Sequence, residues 1–389
     1  MTLRVGIVYG TRPEAIKIAP LALALAAADG FRPVLVSTGQ HQEMVEEINE
    51  AFGLCPRYRL KVLRPGRPLG PMAADLVDAL QEPLRREELD LVVVQGDTTT
   101  AFSAALAATY ARIPVVHLEA GLRTGDPQEP FPEEINRRMI AQVAALHLAP
   151  TREAAANLLG EGIKPADIVV TGNTVIDALH TILRRPVDFH DPRLSELVAH
   201  SGPVVLLTMH RRESWGRPTE EVARAVAELC AARPDLRFVV PLHPNPQVRE
   251  VFERALGGHP GVLLCGPLPY TDFVGLLHRA TLVLTDSGGV QEEAPSLGSP
   301  VLVLRDRTER VEGVAAGCAK LIGTDRRRIV AEVLGLLADR AAYEAMRKPG
   351  LLCYGDGRAA ERSVAAIRER WALPAAADRP TVAGVRAAS

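Results

Sequence analysis

Leu91-Val92-Val93-Val94-Gln95-Gly96-Asp97-Thr98-Thr99-Thr100 is an apolar, β-branched run that breaks at a glycine and passes into the helical pattern Thr99–Tyr110. Val115–Leu118 follows as the next strand-like run. Repeated strand–helix–strand units imply a parallel sheet covered on both faces. Toward the N-terminus, Leu3–Tyr9 and Phe31–Thr38 read as two more strands around a helix at Pro13–Ala28. Toward the C-terminus, Arg184–Pro203 contains Pro186, Pro192 and Pro203 with little periodicity and reads as a linker. The pattern then restarts. Val204–Thr208, Arg237–Pro241, Val262–Cys265, Leu282–Thr285 and Val301–Leu304 alternate with helical stretches such as Glu220–Ala232 and Asp272–Arg279. The expected fold class is α/β, with two doubly wound Rossmann-like domains facing across a cleft. The expected domains are 1–183 and 184–357, and 372–389 is expected to be a disordered tail rich in Ala and Pro.

A chain of 389 residues suits two domains at roughly 100–200 residues each. Its formal net charge of −2 disfavours an electrostatic grip on nucleic acid or an anionic membrane. Cys55, Cys230, Cys265, Cys318 and Cys353 are dispersed with no C-x-x-C, which predicts reduced thiols in a cytoplasmic protein and no zinc site. Leu3–Val8 runs straight into a strand, so no signal peptide is expected. The longest apolar run, Ala19–Ala28, is about half of the roughly 20 residues a membrane helix needs.

Doubly wound sheets bind ligands beyond the carboxyl ends of their strands. Those positions carry Gly10-Thr11-Arg12-Pro13-Glu14-Ala15-Ile16-Lys17, with Arg12 and Lys17 flanking a helix start where an anion is favoured. Asp97 follows the next strand, and an N-cap role alone would explain it. Glu119 closes an apolar strand, which structure alone explains less readily. Glu133 and Glu134 lie at a proline-led helix start. In the second half, His210 and Arg211 follow one strand and His243 another. Asp286-Ser287-Gly288-Gly289-Val290-Gln291-Glu292-Glu293 places two glycines between strand and helix, a backbone nest suited to phosphate. Arg310 lies just beyond a further cationic strand end. The sum is a cleft with cationic and glycine-rich ligands for a phosphorylated molecule on one side and carboxylates on the other.

Several chemistries are set aside. The chain has no P-loop, no G-x-S-x-G elbow, no H-E-x-x-H and no D-x-D. Gly355-Asp356-Gly357-Arg358-Ala359-Ala360 matches a dinucleotide fingerprint by letter, but no strand is expected before it. No cofactor and no metal are expected.

Taken together, these stretches resemble the non-hydrolysing UDP-N-acetylglucosamine 2-epimerases. The matching segments are Gly10–Lys17, Gly96–Thr100, Glu119-Ala120-Gly121-Leu122-Arg123-Thr124-Gly125, Pro132-Glu133-Glu134, His210-Arg211-Arg212-Glu213 and Asp286–Pro295, in that order. The resemblance implies a glycosyltransferase-B-like fold and a C-terminal helix, about Gly357–Trp371, returning to the first domain. It implies reversible interconversion of UDP-N-acetylglucosamine and UDP-N-acetylmannosamine for cell-surface polysaccharides. By position it implies Asp97, Glu119, Glu133 and His210 as catalytic residues. As UDP ligands it implies Arg12, Lys17, Leu268, Phe273, Ser287, Gly288, Gly289, Glu293 and Arg310. It further implies a homodimer, and a second activating UDP-N-acetylglucosamine near Gln40, Glu43, Arg67, Glu134 and Arg211. Glu43 departs from the glutamine of some relatives, and Glu129 adds a charge to the loop carrying Glu133.

The C2 hydrogen of the sugar is not acidic, because no carbonyl is attached to that carbon. Breaking the C1–O bond first makes the C2 proton removable and yields 2-acetamidoglucal. Inversion then requires proton transfer on both faces, hence more than one acid/base group. Other readings are a hydrolysing epimerase releasing UDP and N-acetylmannosamine, an epimerase of a modified UDP-sugar, a glycosyltransferase of the same fold, and an inactive UDP-sugar-binding regulator. The three first-half carboxylates argue against the last two.

Overall fold

The continuous apolar runs form the centres of two all-parallel sheets. In the computed structural model, the described residues are 2–39, 42–62, 67–211, 214–243, 245–308 and 310–373, the side chains of 348–352 excepted. The first sheet contains β1 (Leu3–Tyr9), β2 (Phe31–Ser37), β3 (Tyr58–Arg59), β4 (Leu91–Gln95), β5 (Val115–Leu118), β6 (Ala144–Ala149) and β7 (Ile168–Val170). Its order is β3-β2-β1-β4-β5-β6-β7. The second contains β8 (Val204–Thr208), β9 (Arg237–Pro241), β10 (Val262–Cys265), β11 (Leu282–Thr285), β12 (Val301–Val303) and β13 (Ala319–Leu321). Its order is β10-β9-β8-β11-β12-β13. Every residue of β4, β5 and β11 is buried, as a sheet covered on both faces requires.

Each sheet reverses its winding once, between β1 and β4 in the first and between β8 and β11 in the second. Neighbouring connections leave such a switch point in opposite directions and open a crevice at the strand ends. The turns after β1, β4, β8 and β11 are those that carry Arg12, Asp97, His210 and Ser287.

Four strands, β3, β6, β7 and β13, join those expected. The segment expected as a linker holds a helix, Pro192–Val198, capped by Asp191 with proline at its first turn. The returning helix spans Ala359–Arg370, and its Val364, Ala366 and Ile367 enter the first core beside Ile18, Leu21 and Leu25. Ala372 and Leu373, expected as tail, are described, and Leu373 is buried in that core. The rest of the expected tail, 374–389, lies outside the described residues.

Asp177 pins the returning helix. Its carboxylate accepts from the backbone N–H of Ala359 (3.1 Å) and Ala360 (2.8 Å), donors that a helix start leaves without partners. Asp177→Ala is expected to cost about 1–2 kcal/mol of local stability. Amide hydrogen exchange should then accelerate along 359–370 before the sheets respond; unchanged protection there would assign the docking to apolar contacts alone.

The candidate active site

The two switch points face each other across a cleft of about 1000 Å³. Arg12, Lys17, Asp97, Glu119, Glu133, His210, Arg211, Leu268, Phe273, Ser287, Gly288, Gly289, Glu293 and Arg310 all line it. Glu43 and Arg67 do not. Glu43 is exposed, and Arg67 pairs with Asp75 at 2.5 Å. Gln40 lies outside the described residues.

Order in the first-half turns begins with Glu14, which is 1% exposed. One of its oxygens accepts from the backbone N–H of Gly10 (3.0 Å) and Thr11 (2.7 Å), completing a capping box on the helix Arg12–Ala27. The other accepts from the Thr98 hydroxyl at 2.5 Å. Thr98 in turn caps the helix Thr99–Tyr110, so one buried acid joins the turns carrying Arg12 and Asp97. Burial raises the Glu14 pKa, against the pull of these hydrogen bonds.

Asp97 is held from the helix Glu133–Val143. Arg137, itself buried, places Nη2 2.7 Å from Asp97 Oδ2, and Asn136 Nδ2 donates to the Asp97 carbonyl at 2.9 Å. Glu133 opens the same helix, half-buried, with its pKa raised by burial first and by Asp97 next. Glu134 is fully buried. Its oxygens meet Arg137 (3.5 Å), Arg138 (2.9 Å) and the backbone N–H of Thr124 (3.1 Å). A ligand reaching Glu134 would have to exchange for these partners.

Glu119 adopts φ +63°, a left-handed conformation uncommon outside glycine. Two residues on, Gly121 has φ +93°, and a Cβ there would lie 2.1 Å from the Ala154 carbonyl oxygen. Only glycine lets this turn pass so close to the neighbouring helix. The turn aims Glu119 inward, where Oε2 lies 2.6 Å from Lys17 Nζ and accepts from Gln95 Nε2 at 2.9 Å. Burial raises the Glu119 pKa, Lys17 opposes the rise and Glu292 adds to it. Burial would lower the Lys17 pKa, but Glu119 and Glu292 outweigh it and leave the ammonium above its ordinary value.

In the second half, Asp286 is fully buried and gathers the turn after β8. It accepts from the backbone N–H groups of His210 and Arg211 and lies 3.2 Å from His210 Nδ1. Burial pushes the Asp286 pKa up, but the His210 contacts and the Arg211 N–H outweigh it, so the carboxyl sits below its ordinary range. Ser287, Gly288 and Gly289 open the helix Gly288–Ser296, whose first-turn N–H groups face no acceptor within the helix. Burial, then the nearby Glu292, pushes the Glu293 pKa up to about 8.

Two contacts cross the cleft beside Phe273. Arg12 Nη2 donates to the Leu268 carbonyl at 3.0 Å, and the Tyr270 N–H donates to Glu47 at 2.5 Å. The residues not foreseen from sequence are Glu14, which orders the first-half turns, Gln95, Arg137 and Glu292, which contact foreseen side chains, and Tyr270. Glu14, Gln95 and Glu292 stand inside the stretches quoted for their neighbours. The buried Tyr270 hydroxyl, with no hydrogen-bond partner among the described residues, has no counterpart in any motif.

The sequence profile of the UDP-N-acetylglucosamine 2-epimerase family matches residues 23–368. The chain is 46% identical over 372 residues to the UDP-N-acetylglucosamine 2-epimerase of Escherichia coli K12, covering 94% of this chain and 98% of that protein. Its structure superposes on a putative UDP-N-acetylglucosamine 2-epimerase of Listeria monocytogenes with a TM-score of 0.89 at 42% identity, covering 96% of this chain and 98% of the other. The Neisseria meningitidis enzyme bound to UDP-N-acetylglucosamine gives 0.86 at 39%, covering 94% and 100%. The two facing Rossmann-like domains are the glycosyltransferase-B-like arrangement of these neighbours. By profile, relatives and architecture, this chain belongs to the UDP-N-acetylglucosamine 2-epimerase family.

Proposed function

We propose that this chain interconverts UDP-N-acetylglucosamine and UDP-N-acetylmannosamine without hydrolysis, by eliminating UDP and adding it back. The observation that carries this reading is the single cleft that Asp97, Glu119 and Glu133 line together with Lys17, Arg310 and the Ser287–Gly289 turn. Acid/base groups and an anion-stabilising array thus face one ligand. The C1–O bond breaks, and its electron pair leaves with the UDP β-phosphate. The C2 proton passes to a carboxylate, and the C–H electrons form the C1=C2 bond of 2-acetamidoglucal. UDP then adds to C1 as a proton reaches C2 from the other face.

Asp97, fixed by the Arg137 guanidinium, is our choice for the base. Glu133, raised by burial, is our choice for the acid that serves the opposite face. Lys17, Arg310 and the first-turn N–H groups stabilise the expelled diphosphate. His210, oriented by Asp286, stands beside them. The five unpaired cysteines suit the reducing cytoplasm, where we place the reaction as a supplier of cell-surface polysaccharide synthesis. The Gly355–Ala360 segment follows a helix, Arg340–Cys353, instead of a strand, and forms the crossover to the returning helix, so it does not serve as a dinucleotide fingerprint.

Proton NMR of the chain with UDP-N-acetylglucosamine in deuterium oxide tests the route. The expected product is UDP-N-acetylmannosamine deuterated at C2, with little free UDP. Stoichiometric UDP and free N-acetylmannosamine would replace this reading with the hydrolysing one. Unchanged substrate, even at high concentration, would overturn both.

A further inference from the structure

Glu292 sits where the two halves meet, on the helix Gly288–Ser296, with its side chain 3% exposed. Arg310 Nε donates to Oε1 at 2.9 Å from the second half. Asn173 Nδ2 donates to Oε2 at 3.0 Å and Lys17 Nζ lies 3.7 Å from the same oxygen, both from the first half. Neither the strand-end pattern nor the proposed chemistry uses this acid. Its two cations are nevertheless the side chains assigned above to the diphosphate. Glu119 pairs with Lys17, and Glu292 reaches both Lys17 and Arg310.

We propose that Glu292 is an internal counter-anion that engages Lys17 and Arg310 in the empty cleft and weakens their hold on the diphosphate, so that expelled UDP stays free to re-add and the product to leave. This rests on the UDP reading of the site. An anion entering beside Lys17 and Arg310 meets the repulsion of Glu292, whose burial leaves its charge little screened by water. The cations therefore bind a diphosphate less tightly than they would alone. Glu292 is a positioning residue here. It touches the cations, not the reacting carbons.

The substitution Glu292→Gln separates this role from that of a brace between the halves, because the two predict opposite signs. The amide keeps the size and an acceptor oxygen but removes the charge. A lost brace would loosen the cleft and weaken nucleotide binding. A lost counter-anion strengthens it. Isothermal titration with UDP is expected to show a Kd lower by about 10-fold or more in Glu292→Gln, with a steeper loss of affinity as salt is raised. Turnover is expected to show kcat and KM falling together, as when release becomes slower. Glu292→Asp, which keeps the charge, should bind UDP within threefold of the parent. An unchanged or higher Kd in Glu292→Gln, or an equal gain in Glu292→Asp, overturns the proposal.

If Glu292→Gln does not fold, Asn173→Ser decides, since it removes the cross-half amide contact, keeps an oxygen to cap the helix Thr174–Leu183 and leaves the charge. Affinity within threefold of the parent is expected, and a tenfold loss would show that the network is a brace. Pyrophosphate is the second probe throughout. A parent chain that binds pyrophosphate but not UDP removes the nucleotide reading, and the same comparison of variants then still decides the role of Glu292. A parent that binds neither removes both.

Discussion

Asp97→Asn is expected to lower kcat by about 10²–10⁴-fold, the usual worth of an acid/base group, while UDP binds within threefold of the parent. The substitution is nearly isosteric and keeps an oxygen for Arg137, so the turn after β4 should retain its shape. That shape has independent supports. Asn136 holds the Asp97 carbonyl, and Thr98 is tied to Glu14. What the amide lacks is the ability to take the C2 proton. A nucleotide held by Lys17, Arg310 and the Ser287–Gly289 turn, and not by Asp97, should not sense that loss, so the effect should fall on kcat and not on Kd. The measurement is steady-state turnover together with titration of UDP. Incorporation of deuterium at C2 gives the sharper readout, because it isolates the proton transfer from product release. A variant with near-normal turnover would remove Asp97 from the acid/base set. A variant with equally weakened UDP binding would make it a binding residue.

The frame of this site was legible in the sequence, because runs such as Leu91–Gln95 and Val204–Thr208 are continuously apolar and bounded by turn residues. Once those runs become parallel strands, the residues just past them have nowhere to point but the crevice. That rule alone brings Arg12, Asp97, Glu119, His210 and Ser287 together. The strands that escaped have physical reasons to do so. β3 has two residues and β7 and β13 have three each, too few for any periodicity. β6 is Ala-Ala-Leu-His-Leu-Ala, which reads as a continuation of the helix before it. Pairing with β5 on one side and β7 on the other overrides that preference.

The partners of the acids escaped for another reason. Lys17 and Glu292 are far apart in the chain and meet only when the second sheet faces the first. Arg137 reads as an ordinary helix charge until the helix start is laid against the turn after β4. His117 is subtler still. It is fully buried within β5, with its pKa pushed down to about 3, chiefly by burial. It is therefore neutral, and as the donor its Nε2 holds the Gly96 carbonyl at 2.8 Å, directly before Asp97. A histidine in an apolar strand gives no sign of that role in sequence.

Lys17→Met is expected to cost about 3–5 kcal/mol of stability at neutral pH, because it leaves Glu119 and Glu292 buried without their shared cation. All three side chains are at most 10% exposed, so solvent does little to screen the loss. Arg310 and Asn173 remain for Glu292, and Gln95 remains for Glu119. The deficit should therefore concentrate on Glu119, which loses its only ion pair among the described residues.

The pH dependence follows from the sign of its shift. Burial already raises the Glu119 pKa above its unfolded value, and Lys17 is what restrains the rise. Removing the ammonium lifts that pKa further. A carboxyl raised in the folded state binds its proton more tightly there than in the unfolded chain, so the penalty is absent below the unfolded carboxylate pKa. It then grows as pH rises, and is complete once pH passes the folded value. The Lys17 ammonium is itself raised, so the stability it gives the parent is present throughout this range and is lost only at alkaline pH. The difference in unfolding midpoint between parent and Lys17→Met should thus be larger at pH 8 than at pH 5. An equal difference at both would mean that the lysine acts through packing of its aliphatic stem. UDP affinity in the same variant should fall, in contrast to its gain in Glu292→Gln, since one removes a cation the diphosphate needs and the other removes that cation's competing anion.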